Sequence, residues 1–377
     1  MRFGEIPGLS KEKKSLAMAM ENDQVAHAQM FLGPSGSANL AMALAYASLL
    51  NCENPVDGDA CGTCSSCIKN SKFIHPDVHF VFPVSKVGNK DAVSNSYISE
   101  WRAFLSDHPY GNVFDWSVTF GGEDKQLNIS KGESRQIIRA LSLKAFEGKY
   151  KIMMIWMPEY MHPSAANAIL KILEEPPERT VFLLVAQDKE QIITTILSRT
   201  QVFNIPIFED QAVVNFLKDE MDVASSRAME IAHMASGNMR EAIRMANENE
   251  DSSNALFYNW MRYCYAFKLK ELMEWTDRFA ELKKSAQKNL LVYGLSIMRE
   301  SLLATSGGNE LMRSFGEGKD FVAKFHKTMD IQAMEELMKI LGEAHYHLER
   351  NANAKILFLD MSLQMAGVFQ KTKKRLQ

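Results

Sequence analysis

The chain has 377 residues, 46% of them apolar and 24% charged, with a formal net charge of −3. This is an ordinary globular mixture with room for two or three domains, and nothing in its charge marks the whole chain as a nucleic-acid binder; such contact would be a local patch or shared with partners. No uninterrupted apolar run approaches the roughly 20 residues that span a bilayer, and the start, MRFGEIPGLSKEKK, lacks the apolar core of a signal peptide, so the expected location is the cytoplasm.

In chain order, residues 11–22 form an expected amphipathic helix with Leu16, Met20 and Ala17 on one side. AQMFLG (28–33) is a short apolar strand running into a glycine turn, and residues 38–50 follow as an Ala- and Leu-rich helix. Four cysteines come next, then a second strand, DVHFVFPV (77–84). Residues 85–130 are rich in Gly, Asn, Ser and Asp, with Trp101, Phe104, Tyr110, Phe114, Trp116 and Phe120 scattered among them. Long insertions of this kind are functional or flexible, and the aromatics argue against full disorder. The expectation is a partly ordered excursion with a short helix near 97–106.

ISKGESRQIIRALSLKAF (129–146) has helical spacing at Ile137, Ile138, Leu141 and Ala145, and KYKIMMIWM (149–157) is a nearly continuous apolar strand. SAANAILKILEE (164–175) is a helix with Ser164 as N-cap, stopped by Pro176 and Pro177. Asn167 and Lys171 lie on its exposed side, opposite Ile169 and Ile172, as interface or capping residues. TVFLLVAQ (180–187) is another buried strand, and QIITTILSRTQVFNI (191–205) gives a short helix and a strand. Alternating helices with continuously apolar strands predict an α/β fold with a parallel sheet covered on both faces. After Pro206 strand patterns vanish: residues 209–248 suit a compact helical unit, and 254–373 continue as longer helices, some broken at TSGGNE (305–310). The basic ending KTKKRLQ reads as a frayed, solvated tail rather than a binding patch.

A phosphate loop has the form G-x-x-x-x-G-K-[ST]. Here the run is Gly33-Pro34-Ser35-Gly36-Ser37-Ala38-Asn39-Leu40. Ala38 replaces the second glycine, and its Cβ hinders a positive φ. Asn39 cannot supply the cation that balances a triphosphate, and Leu40 cannot hold magnesium. Alone, the run is better read as an unrelated strand-turn-helix. The acidic pair that would hold magnesium and orient water is also missing: Trp156 and Met157 stand in its place, and Glu159, beyond Pro158, is a poor substitute. No ATP hydrolysis is expected from this chain.

Cys52, Cys61, Cys64 and Cys67 are spaced x8, x2, x2, which suits four thiolates closing a tetrahedron around a structural zinc. Redox or iron–sulfur chemistry is the alternative. His75 and His79 read as ordinary loop and strand residues, and Cys264 as a core thiol rather than a reactive one.

The alternating layout, the cysteine insert after the first helix and SAANAILKILEEPPERTVFLL (164–184) together resemble the clamp-loader branch of the AAA+ family. HAQMFLGPSG (27–36) resembles its opening strand and loop, NAILKILEEPP (167–177) its helix before the sensor strand, ILSRTQ (196–201) its S-R-C motif, ASGNMREAI (235–243) its sensor-2 helix, and ERNANAKILFLDMSL (349–363), more loosely, its last collar helix. The insert at 85–130 is outside the common pattern. The resemblance implies three domains: an AAA+ (RecA-like) α/β domain with the zinc module (1–206), a small helical lid (207–250) and an all-helical collar (251–377) that builds a five-subunit ring.

It further implies the non-hydrolysing subunit type of the DNA polymerase III loader. The partners would be ATP-binding clamp-loader subunits, a delta subunit, the sliding clamp and primer–template DNA shared within the ring. Arg199 would act in trans as an arginine finger on a neighbour's ATP, with Thr200 replacing the motif's cysteine; the plainer reading of Arg199 is a surface ion pair. Arg240 matches the sensor-2 arginine, for which packing or an ion pair is expected. Two rivals stand beside this reading. One is a motor-type AAA+ ATPase with an atypical site; the other is a zinc-containing nucleic-acid-binding protein, disfavoured because no Lys or Arg lies between 52 and 67.

Overall fold

In the computed structural model five short runs rich in Val, Ile, Leu, Met and Phe pair as a parallel sheet: β1 (Ala28–Leu32), β2 (Val78–Val81), β3 (Lys151–Trp156), β4 (Thr180–Ala186) and β5 (Gln201–Asn204), in the order β2-β3-β4-β1-β5. The structure describes residues 1–123, 125–142, 144–247, 253–282, 284–306, 316–350 and 352–376. Helix α1 (Ser10–Glu21) precedes β1, and the crossovers are helical: α2 (Asn39–Leu50), α3 (Ser65–Ser71), α4 (Ile98–Asp107), α5 (Val113–Phe120), α6 (Lys131–Ser142), α7 (Pro163–Glu174) and α8 (Thr194–Leu197). The expected α/β architecture is present.

Alternate residues of β1 serve the two faces. Ala28 and Met30 join Met153, Phe182 and Leu184 under the apolar stripes of α6 and α7, which supply Ile137, Leu141, Ile169 and Leu173. Phe31 points the other way, its ring centroid 6.1 Å from that of Tyr46 in α2. Every residue of α2 is buried, as expected for a helix apolar all round, and its alanines let it lie close. β5 departs from the continuous-strand pattern because it is an edge: Gln201, Val202 and Asn204 are exposed.

Four local expectations change. Residues 85–130 carry the short helix expected near 97–106 as α4, but they are more ordered than expected, adding α5 and fully burying Trp101, Phe104 and Trp116; Asp124 lies outside the described residues. Ile138 is 41% exposed, because the buried stripe of α6 runs through Ile137 and Leu141. His162, not Ser164, caps α7: its Nδ1 accepts from Ser164 N at 3.2 Å, with Pro163 in the first helical position. The basic ending is helical to Leu376, with Thr372 buried and Lys373 Nζ donating to Tyr265 O at 2.6 Å.

The remaining helices are α9 (Asp210–Met221), α10 (Ser225–Ala235), α11 (Met239–Asn247), α12 (Ser253–Ala266), α13 (Leu269–Glu281), α14 (Lys284–Thr305), α15 (Gly316–Phe325), α16 (Ile331–Glu349) and α17 (Ala354–Leu376). The chain forms two compact units, 1–216 with 236–243, and 217–235 with 244–377. The expected lid–collar boundary at 250–251 and most of the 305–310 break lie outside the described residues. The second unit has its own core around Phe257, Trp260, Cys264, Phe279, Phe358 and Met365. Burial pushes the Cys264 thiol up, as suits a core thiol. Among the described residues, no helix is long and apolar enough to cross a membrane.

Candidate functional site

The loop after β1 keeps the frame of a phosphate cradle and fills it from within. Gly36 to Leu40 are all buried. Asn39, in the lysine position, donates through Nδ2 to Gly33 O at 3.1 Å and Ala186 O at 2.9 Å, stapling the loop to the end of β4. Ala38 sits at φ −82°, so the negative-φ backbone carries its Cβ without strain, and the expected hindrance does not arise there. Gly36 holds the left-handed conformation, φ 78°, and is covered: a Cβ on it would fall 1.8 Å from Asn238 Oδ1. Met239 N donates to Gly36 O at 3.0 Å, and Asn238 Oδ1 accepts from Glu241 N at 3.1 Å. The first turn of α11 is thus seated on the loop. A cavity of about 1050 Å³ opens beside Gly33, Pro34, Asp188 and Ile205, but takes none of residues 35–40.

The acidic pair is replaced by packing. Trp156 and Met157 are 1% and 4% exposed. The Trp156 ring lies 5.1 Å from Trp101 and 5.4 Å from Phe104, so aromatics of the insert pack against it. Glu159 accepts from Gln187 N and from Asp188 N, the latter at 3.0 Å, which fixes the turn after β4. Burial pushes its carboxyl up despite those donors.

Arg240 carries the ion pair expected of it, and its partner comes from the insert. Its Nε and Nη2 donate to Asp115 Oδ2 and Oδ1 at 2.5 and 2.7 Å, and its Nη1 to Glu241. Burial pushes the Asp115 carboxyl up, but Arg240 and the Asn112 N–H outweigh it and hold it below the usual range. Arg199 lies in the loop after α8, partly exposed. Its Nε donates to Glu174 Oε1 at 2.5 Å, its Nη2 pairs with the same oxygen, and its Nη1 donates to Thr195 O at 2.9 Å. Thr200 ties the loop to α8 by donating to Ile196 O and Leu197 O, each at 3.2 Å. Asn167 and Lys171 are exposed on α7.

The cysteines converge. The Sγ atoms of Cys52, Cys61, Cys64 and Cys67 all lie within 4.8 Å of one another, with Cys61 and Cys67 at 3.9 Å. Tetrahedral zinc–thiolate bonds of about 2.3 Å require sulfur separations near 3.8 Å. Backbone N–H groups of Cys61, Cys64 and Cys67 point at Cys52, Cys61 and Cys64 Sγ at 3.2, 3.3 and 3.4 Å. Donors from Thr63 and Cys64 lower the Cys61 thiol to about 6, while burial raises Cys52 and Cys67. The donor set fits a thiolate-bound metal with no open position. His75 and His79 are not in the cluster: His75 Nδ1 accepts from Asp77 N at 3.1 Å, and His79 belongs to β2.

A family model described as "DNA polymerase III, delta subunit" matches residues 8–209, more than half of the chain. The chain belongs to the clamp-loader family of DNA polymerase III subunits. DNA polymerase III subunit tau of Bacillus subtilis is 24% identical over 382 residues, covering 95% of this chain and 60% of that protein. DNA polymerase III subunit delta' of the same organism is 26% identical over 239 residues, covering 63% of this chain and 59% of that protein. The chain thus spans less than two thirds of either relative. A gamma subunit-related protein of Thermotoga maritima is similar over 94% of this chain and 99% of its own, at 14% identity and a TM-score of 0.38.

Within this clamp-loader chain, sequence reasoning missed Asn238 and Asp115. Asn112-x-x-Asp115 reads as a capping box, which signals a helix start but not a partner 125 residues away. It also missed the outward face of α6, where Lys131, Arg135 and Arg139 are exposed and the acid on that helix, Glu133, is buried.

Proposed function

We propose that the chain is a delta-prime-like, non-hydrolysing subunit of the DNA polymerase III clamp loader, helping to place the sliding clamp on primed DNA. The observation that carries this reading is the filled cradle: Asn39 occupies the cation's position, Asn238 covers Gly36, and Trp156 and Met157 replace the acids. The three-domain division at 206 and 250 belongs to the same reading. So do partnership with ATP-binding subunits and a delta subunit in a five-membered ring, and a structural zinc on Cys52, Cys61, Cys64 and Cys67. When bound, zinc would crosslink the module; the four thiols would hold it and exclude water from it.

A frame without its own chemistry is useful if it serves a neighbour. Arg199 is partly exposed and oriented by Glu174, Thr195 and Ser198, which supports its delivery as a planar donor to a neighbour's triphosphate. The basic face of α6 supports contact with DNA through backbone phosphates, not base edges. In a reconstituted loader, Arg199→Ala should leave assembly intact and depress DNA- and clamp-stimulated ATPase by about tenfold or more, since such fingers contribute about 10³–10⁵ at a single site. Unchanged turnover removes the role.

A further inference from the structure

The insert begins as a firmly anchored element. Trp101 stacks on Phe82 with centroids 4.2 Å apart, and Trp116 Nε1 donates to Pro83 O at 2.7 Å. Ser94 N donates to the buried carboxylate of Glu133 at 2.8 Å. These contacts fix α4 and α5 against the sheet. The start of α5 is then set by Asn112, whose side chain accepts from Phe114 N and Asp115 N, while Asp115 Oδ2 accepts from Asn112 N at 3.0 Å. Asp115 is thereby aimed before it meets any partner.

That partner is Arg240. The pair is bidentate, and the two side chains are only 19% and 16% exposed. Arg240 follows Met239, whose N–H is bonded to the phosphate-loop residue Gly36. A guanidinium one residue past the N–H that bonds such a loop is of the kind that two phosphate oxygens recruit, and a carboxylate offers the same two-oxygen geometry. The insert makes a second contact nearby: Tyr110 meets Phe208 and Phe216 edge-on, at 5.4 and 6.0 Å. Phe208 N in turn donates to Gly237 O at 3.0 Å, just before α11.

We propose that the insert at 85–130 is a built-in counter-ligand: Asp115 takes the place of a nucleotide phosphate on Arg240 and fixes the first turn of α11 over the filled loop. The closed arrangement then needs no nucleotide. This goes beyond the role in the loader and is read on the isolated chain, so its failure is distinct from that of the Arg199 reading.

The test is amide hydrogen exchange of full-length wild type, Asp115→Asn, Arg240→Gln and the double variant. Loss of a partly buried charge-assisted pair should speed exchange at residues 239–243 by about tenfold or more, with β4 amides within about twofold of wild type. The double variant should exchange no faster than the quicker single one. Either single variant suffices if the other fails to fold. If both fail, Asp115→Glu, which keeps the charge but lengthens the reach, serves in their place. Unchanged exchange at 239–243, an equal rise across β4, or additive effects in the double variant each overturn the proposal.

Discussion

Asn39 shows how one side chain in the loop's lysine position can brace the loop from within. Its amide reaches across the loop to Gly33 O and Ala186 O, so the position is committed to bracing β1 against β4. A lysine there could not donate to both carbonyls and also reach a phosphate. Restoring the charge alone should therefore not restore binding: Asn39→Lys should show no Mg-ATP uptake by titration calorimetry at millimolar nucleotide. Gly36 would still lie under Asn238, and Trp156 and Met157 would still offer no metal ligand. Tight Mg-ATP binding by that single variant would show that the missing cation, not the covered loop, keeps nucleotide out.

At the scale of elements, one carboxylate gathers three backbone donors of the turn from α6 into β3. Asp77, just before β2, accepts from Phe146, Glu147 and Gly148 N–H groups at 2.6, 2.8 and 2.7 Å. Burial pushes its carboxyl up, but the three donors outweigh that and hold it below the usual range. Its contribution to stability is thus present above the unfolded-state value near 3.8 and lost as pH falls through the depressed folded value. Asp77→Asn should cost about 1–3 kcal/mol at pH 7 in denaturant unfolding, and the gap to wild type should narrow below about pH 4. A gap that stays constant to pH 2 would mean that the charge is not what the turn uses. Asp77 also marks a limit of the sequence. The strands were legible because their apolar runs are continuous, and the cysteine site because its spacing is local. The contacts of Asp77, Asp115 and Asn238 were not legible, because each joins segments far apart in the chain and leaves no periodic trace. The insert looked only partly ordered for the same reason: its aromatics follow no single period, and what they pack against, such as Phe82, Trp156 and Phe208, lies outside it.

At the scale of the whole molecule, the two compact units carry separate cores and an unequal share of the cysteines. The four clustered cysteines lie in the first unit, near the N-terminal segment that Asp59 holds through Phe3 N and Gly4 N at 3.0 and 2.8 Å. The second unit contains Cys264 alone, buried in its core. Protein purified without chelator should hold about one zinc per chain, because four thiolates complete one tetrahedral site. Calorimetric unfolding should then resolve a metal-dependent and a metal-independent transition. Each kcal/mol lost moves the midpoint of a unit of this size by about 2–4 °C. Stripping a structural zinc that contributes several kcal/mol should therefore lower the first unit's transition by about 10 °C or more. The helical unit should not move, since no ligand of the cluster comes from it. Protein free of metal as purified would remove the zinc assignment. Equal displacement of both transitions on chelation would show that the cysteine module supports more of the chain than the unit that contains it.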